Sequence, residues 1–549
     1  MARPISSKAQ GTDMRTVSRR AFFAASAQGL AALSLRGAPP EKARIGLVAS
    51  SHSKLVRPSS IEDPLDYPRV RDMVWKAIEY GRPRAGSLEA KIKPGSWVVI
   101  KPNIGSLPPR QAYFTLGDTT DMRVAKAVLE YVAAKSRAAR ITIAEGGSYR
   151  RVGDTEADNV MLQNGVHVDA LTYSWGDEFP GFHGTLADFL KDAGASFPGK
   201  KFDYVDLAYD PVRDPSGQFR WMDVPRSPNG VGAFGEKKVY VPANAIVNCD
   251  FLITVPVMKV HNTCGITGCL KNYVGTGPRI VYAPKGSFSN GDLHRNHSLE
   301  GRIDSFITDL AAFHPPDYCV VDAIRGLQYT EHTNGLPDQM IRNNVVMAGE
   351  DPVSTDALLA TLMGYQPTDI EYLHMASQRQ MGVMDMGNAD VAGDDPARFR
   401  RRWAKPRNWY GRCNRQWLLT QDASADIKTW ARFAAPTDTL HFTKWQPPAS
   451  DAAVYKSAVR VVADGNRKAF LWVGAHGQLK AFLNGEKVME EQGNTRYRIG
   501  QFQKPVELRS GENLLVFELK PVSEQVDLSV LLAAPENDGG TVDGIRWSA

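Results

Sequence analysis

The chain has 549 residues, which is too long for one ordinary domain and enough for two or three. Its content of 43% hydrophobic and 23% charged residues is that of a globular protein and excludes a collagen-like, mostly disordered or disulfide-scaffold chain. The net charge of +6 is concentrated in residues 1–38, which hold six basic residues and one acidic residue, whereas the rest holds 60 basic and 59 acidic residues. No general positive surface is left for nucleic acid, so we expect no nucleic-acid partner.

The N-terminal segment has the pattern of an export signal. Arg19 and Arg20 follow Ser18 and precede Phe22, and an apolar run covers residues 24–35. This pattern resembles a bacterial twin-arginine signal, which implies a periplasmic or cell-envelope protein and the export machinery as a partner. The apolar run is shorter than the ~20 residues that cross a bilayer, so we expect no transmembrane domain unless the leader is retained.

Strands and helices alternate over the next 350 or so positions of the chain. Strands are predicted at Ala43–Ala49 and at residues 96–100, 139–144, 251–255, 318–322 and 344–348. Helices are predicted at residues 70–80, 122–134, 302–313 and 354–363. Strand, helix and strand at this spacing favour parallel βαβ units, so residues 44–400 are predicted to form an α/β domain with a largely parallel sheet and flanking helices.

The pattern changes after residues 401–414, a basic and aromatic segment that we predict to be a linker. Short alternating strands follow at residues 458–462, 469–473, 479–483, 506–508 and 513–519. They predict an all-β sandwich of jelly-roll type over residues 415–535, with a tail at residues 536–549. Residues 481–488, which include the hairpin turn Asn484-Gly485, and residues 508–517 resemble the galactose-binding-like module of exported bacterial proteins. That resemblance leaves open a contact with glycan or a purely structural role.

The densest group of chemically useful residues lies at positions 255–277, directly after a predicted buried strand. Its members are Lys259, His261, Thr267, Lys271, Asn272 and Gly275. In open α/β sheets, ligands bind outside the carboxyl ends of the strands. Glycines let backbone N–H groups approach an anion and lysines supply positive charge, so this segment predicts a site for a small anionic ligand.

These residues also carry a resemblance to a known family. The matching positions are residues 100–103, residues 144–146, Cys249, Asp250, Pro256, Lys259, His261, Gly265, Thr267, Lys271, Asn272, Gly275, Val321, Asp322, residues 349–352 and Asp356. Over residues 44–390 the chain resembles the bacterial and archaeal family called domain of unknown function 362. The resemblance implies a domain and no particular reaction. Some relatives carry iron–sulfur modules, but their closely spaced cysteines are absent here, so that association is not carried over.

Polar residues follow five of the predicted strands, and parallel strands would bring them to one edge of the sheet: Lys101, Glu145, Lys259, Asp322 and Asp351. Lysines and carboxylates in contact tune each other's pKa and can divide acid, base and charge-stabilising roles. The predicted catalytic residues are Lys259, His261 and Glu145. The predicted substrate-binding residues are Lys101, Asn103, Thr267, Lys271, Asn272, Gly275, Asp322 and Asp351.

Metal binding is a weaker alternative, for which the candidate ligands are His261, Cys264, Cys269, His294 and His297. The chain has no CxxC pair and no HExxH motif, which favours a hydrogen bond from His261 to the anion over metal ligation. Cys264 and Cys269 are predicted to be small packing residues, with a disulfide between them as the alternative. The cofactor stays open, since an exported folded protein can carry a metal or an organic group.

The leading hypothesis is an exported two-domain enzyme that acts on a small carboxylated or phosphorylated substrate or cofactor. The class of reaction is left open. A non-catalytic protein of the cell envelope that binds a ligand or glycan is one alternative. A redox protein that contains a cofactor is the other.

Overall fold

In the computed structural model, strands and helices alternate in the described residues between 43 and 400. The structure describes residues 42–105, 117–146, 161–163, 166–168, 170–177, 179, 181–283, 290–332, 335–422, 424–447, 453–492 and 496–548. The predicted export leader lies outside these residues.

The strands of this first part are β1 (Ala43–Ala49), β2 (Trp97–Pro102), β3 (Arg140–Glu145), β4 (Met161–Gln163), β5 (Val166–Val168), β6 (Lys201–Asp206), β7 (Met222–Asp223), β8 (Val239–Tyr240), β9 (Phe251–Val255), β10 (Lys259–His261), β11 (Gly265–Thr267), β12 (Tyr318–Leu327), β13 (Met340–Gly349) and β14 (Ala389–Gly393). Its helices are α1 (Tyr67–Tyr80), α2 (Leu88–Lys91), α3 (Met122–Lys135), α4 (Leu186–Ser196), α5 (Asn244–Asn248), α6 (Arg279–Tyr282), α7 (Asp304–Ala311), α8 (Pro352–Leu362) and α9 (Glu371–Gln378).

The central sheet has the strand order β14-β1-β13-β12-β9-β2-β3-β6. Its strands run in one direction except β13, which pairs antiparallel with β1 on one side and β12 on the other. The predicted α/β architecture with a largely parallel sheet is therefore confirmed. No helix among the described residues is both long and apolar enough to span a membrane.

Helices cover both faces of this sheet, which explains why its strands are continuously apolar. Successive side chains of a strand point to opposite faces. In β2, Val98 and Ile100 pack in the core with α1 and α3, while Val99 packs in the other core with α7 and α8. A strand that is buried on both faces can carry polar side chains only where it ends, which is where Lys101 lies.

The C-terminal part consists of antiparallel strands. They are β15 (Gln416–Thr420), β16 (Ala431–Ala434), β17 (Leu440–His441), β18 (Tyr455–Ala463), β19 (Arg467–His476), β20 (Gln478–Leu483), β21 (Glu486–Glu491), β22 (Phe502–Leu508), β23 (Gly511–Lys520), β24 (Asp527–Ala533) and β25 (Ile545–Ser548), with the short helix α10 (Phe442–Trp445). One sheet has the order β16-β15-β18-β23-β20-β21 and the other β17-β24-β19-β22, over a shared apolar core. The predicted β-sandwich is confirmed. Strand β25, from the segment predicted as a tail, pairs with β18.

The two parts are joined tightly, and residues 43–549 form one compact unit. Residues 401–414 carry neither helix nor strand, and Trp403 and Trp409 within them are buried in the α/β core. Two largely buried ion pairs cross the seam: Arg415 of the sandwich contacts Glu371 of α9 at 2.9 Å, and Arg302 of the α/β part contacts Asp438 of the sandwich at 3.0 Å. The segment predicted as a linker is therefore packed between the two parts.

Candidate functional site

The 255–277 segment begins at the last residue of β9 and therefore lies at the carboxyl edge of the sheet. After β9 the chain forms the hairpin β10–β11, in which Lys259 lies opposite Thr267 and His261 opposite Gly265. Gly265 has a φ of 87°, and a Cβ there would lie 2.9 Å from Trp409 Nε1, so the hairpin requires glycine. A 3₁₀ helix, Lys271–Thr276, follows directly and carries Asn272 and Gly275.

The first element of the site is a buried ion pair between the ends of β2 and β3. Lys101 Nζ donates to Glu145 Oε2 at 2.9 Å and to Asn272 Oδ1 at 3.1 Å. The exposed fractions of the lysine and glutamate side chains are 2% and 4%. Glu145 also accepts hydrogen bonds from the backbone N–H groups of Ile104 and Gly146. Burial lowers the pKa of Lys101, although the Glu145 carboxylate opposes this shift.

Two asparagines extend this pair. The Asn272 amide donates to the Lys101 carbonyl at 3.0 Å and to Thr254 Oγ1 at 2.8 Å, while Asn103 Nδ2 donates to Asn272 Oδ1 at 3.3 Å. A Cβ on Gly275 would lie 2.8 Å from Glu145 Oε1, so only glycine allows the 3₁₀ helix to approach the carboxylate this closely. Lys101, Glu145, Asn103, Asn272 and Gly275 are thus in one contact network, and all five are among the residues that the sequence analysis selected.

The second element is another buried ion pair, which includes two residues that the sequence analysis missed. Lys259 Nζ donates to the carboxylate of Asp118 at 3.0 Å and to its backbone carbonyl at 2.6 Å. His332 Nδ1 lies 3.3 Å from the same carboxylate oxygen, and the exposed fraction of its side chain is 46%. Burial would raise the pKa of Asp118, but the Lys259 ammonium and the contact with His332 lower it to about 2. A half-exposed imidazole oriented by a buried carboxylate is suited to proton transfer.

Lys271 differs from the other two lysines because it has no hydrogen-bond or ion-pair partner among the described residues, and its side chain is half-buried. Burial and the neighbouring Lys259 ammonium lower the pKa of Lys271 to about 8. An ammonium group in this position is unfavourable in the ligand-free protein. An anion that contacted it would relieve both the loss of hydration and the repulsion from Lys259.

His261 lies close to this positive charge. Its Nδ1 is 3.2 Å from Thr263 Oγ1. Burial, together with the ammonium groups of Lys271 and Lys259, lowers the pKa of His261 well below its ordinary value. This shift favours the neutral imidazole, and because Nδ1 accepts from the Thr263 backbone N–H at 3.3 Å, the ring proton lies on Nε2 as a donor.

Several buried oxygen atoms in or next to these pairs have no hydrogen-bond partner within the described protein. They are Asn103 Oδ1, Asp118 Oδ2, Thr119 Oγ1 and Thr267 Oγ1. Buried polar side chains are normally hydrogen-bonded, so such a concentration marks a place that favours a polar ligand. The threonine hydroxyls can donate to an anion, and the Asn103 amide oxygen and Asp118 carboxylate oxygen can accept from hydroxyl groups.

Asp322 lies at the same edge but its carboxylate is occupied. It accepts from the backbone N–H groups of Asp121 at 2.7 Å and Ile324 at 3.0 Å. Burial and the nearby Asp121 carboxylate raise the pKa of Asp322. The Asp322 carboxylate therefore binds the residue that precedes α3, and this hydrogen bond takes the place expected for a ligand.

The expectation that Asp351 joins this edge is wrong. Strand β13 runs antiparallel, and its last residue, Gly349, pairs with Cys319 and Ile45 near the starts of β12 and β1. Asp351 therefore follows β13 at the end of the sheet where these strands begin. Its carboxylate caps helix α8 by accepting from the Ser354 N–H at 2.8 Å.

The weaker metal candidates do not come together. Among the described residues, no three His, Cys, Asp or Glu side chains are placed to hold a metal ion. His294 packs edge-on against Phe306, and His297 is fully buried among aromatic rings. All five cysteines are free and buried, so Cys264 and Cys269 form no disulfide.

Residues 217–361 match the model of the family described as Domain of unknown function (DUF362). This stretch contains Lys259, His261, Lys271 and Asn272, whereas Lys101 lies outside it. The resemblance stated from the sequence is confirmed over this stretch. No curated protein matches the chain.

Some solved structures are similar to parts of the chain. The lactate racemase apoprotein from Thermoanaerobacterium thermosaccharolyticum is 13% identical with a TM-score of 0.25, over 51% of this chain and 52% of that chain. A β-glucosidase from Kluyveromyces marxianus is 10% identical with a TM-score of 0.18, over 22% of this chain and 17% of that chain. A family 35 carbohydrate binding module from an environmental isolate is 10% identical with a TM-score of 0.14, over 19% of this chain and 74% of that chain. This chain therefore spans about half of the racemase and a small part of the glucosidase, and likeness at this level assigns no activity.

Proposed function

We propose that the carboxyl edge of the sheet binds a small carboxylated or phosphorylated substrate through Lys271, and that the chain is an enzyme acting on it. The observation that carries this proposal is the half-buried Lys271 ammonium, which no described residue pairs with. Lys101 and Lys259 are already neutralised by Glu145 and Asp118. Their charge holds the framework together, while that of Lys271 is available to a ligand.

The surrounding groups supply the remaining contacts. The hydroxyls of Thr119 and Thr267 donate to the bound anion, and Asn103 Oδ1 accepts from a hydroxyl group of the substrate. A substrate that carries both an acidic group and a hydroxyl group fits this set of donors and acceptors best. Proton transfer is assigned to His332, which Asp118 orients, with neutral His261 as a second hydrogen-bonding group.

We also propose that the protein is exported and that its sandwich belongs to the galactose-binding-like class. The twin-arginine pattern at Arg19 and Arg20 supports export. The hairpin sequence at residues 481–488 supports the galactose-binding-like class of the sandwich. Cell fractionation of an R19K/R20K double variant tests export. Undiminished recovery of this variant outside the cytoplasm would contradict the assignment.

Isothermal titration of the full chain with inorganic phosphate, pyrophosphate and citrate tests the binding step. We expect at least one of these anions to bind, and Lys271→Met to weaken that binding by about tenfold or more, because a charge-assisted hydrogen bond is lost. Lys91→Met is the matched control, since Lys91 pairs with Glu350 away from the cluster. Equal loss in both variants, or no loss in Lys271→Met, would contradict the role of Lys271.

The catalytic step needs a different readout. Mixtures of phosphorylated and hydroxycarboxylic compounds are incubated with the protein, and turnover is followed by NMR. We expect His332→Asn to lose turnover but to keep its affinity for the titrated anion, because His332 is paired with Asp118 rather than with Lys271. Anion binding without turnover of any compound would favour a binding protein over an enzyme.

A further inference from the structure

A groove runs along the seam between the α/β part and the sandwich, away from the two buried ion pairs. It consists of two adjoining cavities of about 450 and 480 Å³ that share residues 407–410 as a common wall. The first cavity is bounded by the hairpin residues Asn262 and Thr263. The second is bounded by Trp472, Arg498 and other sandwich residues. Each volume lies in the range of sites for organic ligands and far exceeds that of a small inorganic anion.

Two exposed arginines give this groove its available charge. Arg407 lines both cavities and Arg498 lines the second, and neither has a side-chain partner among the described residues. Arg302, in the wall of the first cavity, is different because Asp304 and Asp438 neutralise it at 3.2 and 3.0 Å. The groove therefore offers free guanidinium groups, which recognise carboxylates through paired N–H donors.

The groove also offers flat apolar surface next to amide groups. Tyr410 lines both cavities and is half-buried, and the Arg302 guanidinium lies over one face of its ring at 5.1 Å from the centroid. Asn408 and Gln503 add amide groups to the lining. Aromatic surface beside amide groups suits rings that have apolar faces and hydroxyl edges.

We propose that this groove binds an extended acidic oligosaccharide, with carboxylates of the sugar on Arg407 and Arg498 and a sugar ring against Tyr410. Two adjoining cavities, each large enough for an organic group, favour a chain of sugar units over a single small anion. An acidic peptide is the competing ligand. The aromatic ring and the amide groups of the lining favour a sugar over such a peptide, and the comparison with poly-glutamate decides between the two. The proposal does not depend on the function assigned to Lys271.

Titration of the full chain with three probes tests the proposal: a galacturonate oligomer, a neutral malto-oligosaccharide of the same length, and poly-glutamate. We expect the galacturonate oligomer to bind about tenfold or more tightly than either other probe, with an affinity that falls as salt is added. The double variant R407Q/R498Q should lose this preference. The matched control, Arg432→Gln on exposed strand β16, should keep it.

Several results would overturn the proposal. They are equal binding of the neutral sugar, tighter binding of poly-glutamate, an unaltered preference in R407Q/R498Q, or no binding of the galacturonate oligomer. Lys271→Met separates this site from the proposed active site, because it should leave galacturonate binding unchanged. Loss of galacturonate binding in Lys271→Met would show that the probe occupies the lysine cluster instead, and would also overturn the groove assignment.

Discussion

Replacement of Lys271 by methionine should make the ligand-free protein more stable, although it removes a charged residue from the proposed site. The pKa of Lys271 is lowered from 10.5 to about 8 in the folded chain. Each pKa unit corresponds to about 1.4 kcal/mol, so the half-buried ammonium disfavours the folded state by at most about 3 kcal/mol at neutral pH. Methionine keeps most of the volume of the lysine stem and has no charge to dehydrate. We therefore expect the free energy of unfolding of Lys271→Met to rise by up to about 3 kcal/mol at pH 7.

The effect of Lys271 should also depend on pH in a defined direction. Between pH about 8 and 10.5 the unfolded chain binds more protons at this lysine than the folded chain does. Its contribution to the free energy of unfolding of the natural protein should therefore rise with pH across that window. Below pH 8 Lys271 is protonated in both the folded and the unfolded chain, so its full unfavourable contribution to the free energy of unfolding is present. The stability difference between the natural protein and Lys271→Met should thus shrink as the pH approaches 10.5.

Urea unfolding followed by tryptophan fluorescence at pH 7 and pH 10 measures this difference. Lys101→Met is the comparison, because it removes a lysine whose carboxylate partner, Glu145, stays buried. We expect Lys101→Met to lower the free energy of unfolding by about 3–5 kcal/mol, opposite in sign to Lys271→Met. If both variants lose stability by similar amounts at pH 7, Lys271 is not an unpaired ammonium and the reasoning fails.

Further changes test other parts of the site. Asp118→Asn should lower the free energy of unfolding by about 3–5 kcal/mol at pH 7, because it leaves Lys259 buried without a counter-charge. The pKa of Asp118 is lowered to about 2, so its contribution to the free energy of unfolding is present above the unfolded pKa of 3.8 and is lost as the pH falls through about 2. Acid unfolding of the natural protein and of Asp118→Asn measures this loss. Parallel acid curves for the two proteins would contradict it. Gly275→Ala should lower the free energy of unfolding by about 1–3 kcal/mol, measured by thermal or urea unfolding, because its Cβ would lie 2.8 Å from Glu145. Gly194→Ala is the control and should cause no loss of stability, because there is open space around Gly194 in α4. Unchanged stability of Gly275→Ala would argue against the close approach. The five buried thiols should not react with a thiol reagent until the protein unfolds, and rapid reaction of the folded protein would disagree with their burial.

Much of the α/β fold follows from local patterns. Residues 98–100 are apolar on both faces, and only a strand between two helical layers can bury them all. The polar segment after β9 was located for a similar reason, because a run of Lys, His, Asn and Gly directly after a buried strand has no place in a core. Lys101, Glu145 and Asn272 do form one hydrogen-bonded network there.

The same reasoning failed for Asp351, because it assumed that every strand of the sheet runs in the same direction. Strand β13 is as apolar as its neighbours, and nothing in its composition reveals that it is antiparallel. Asp118 was missed because it directly precedes Thr119, Thr120 and Asp121, which form a typical helix start. His332 follows β12 in a polar loop with no local feature that marks it as a partner of Asp118.

The sequence by itself therefore determined the class of each part and the strand that carries the candidate site. Periodicity and burial are local properties, and local residues report them. Only the tertiary structure decided which lysines are neutralised and which one has no partner in the described part of the chain. Lys101, Lys259 and Lys271 are chemically identical in the sequence, and they differ because Glu145 and Asp118 reach two of them from other segments of the chain. The charge available to a ligand is a property of those long-range contacts.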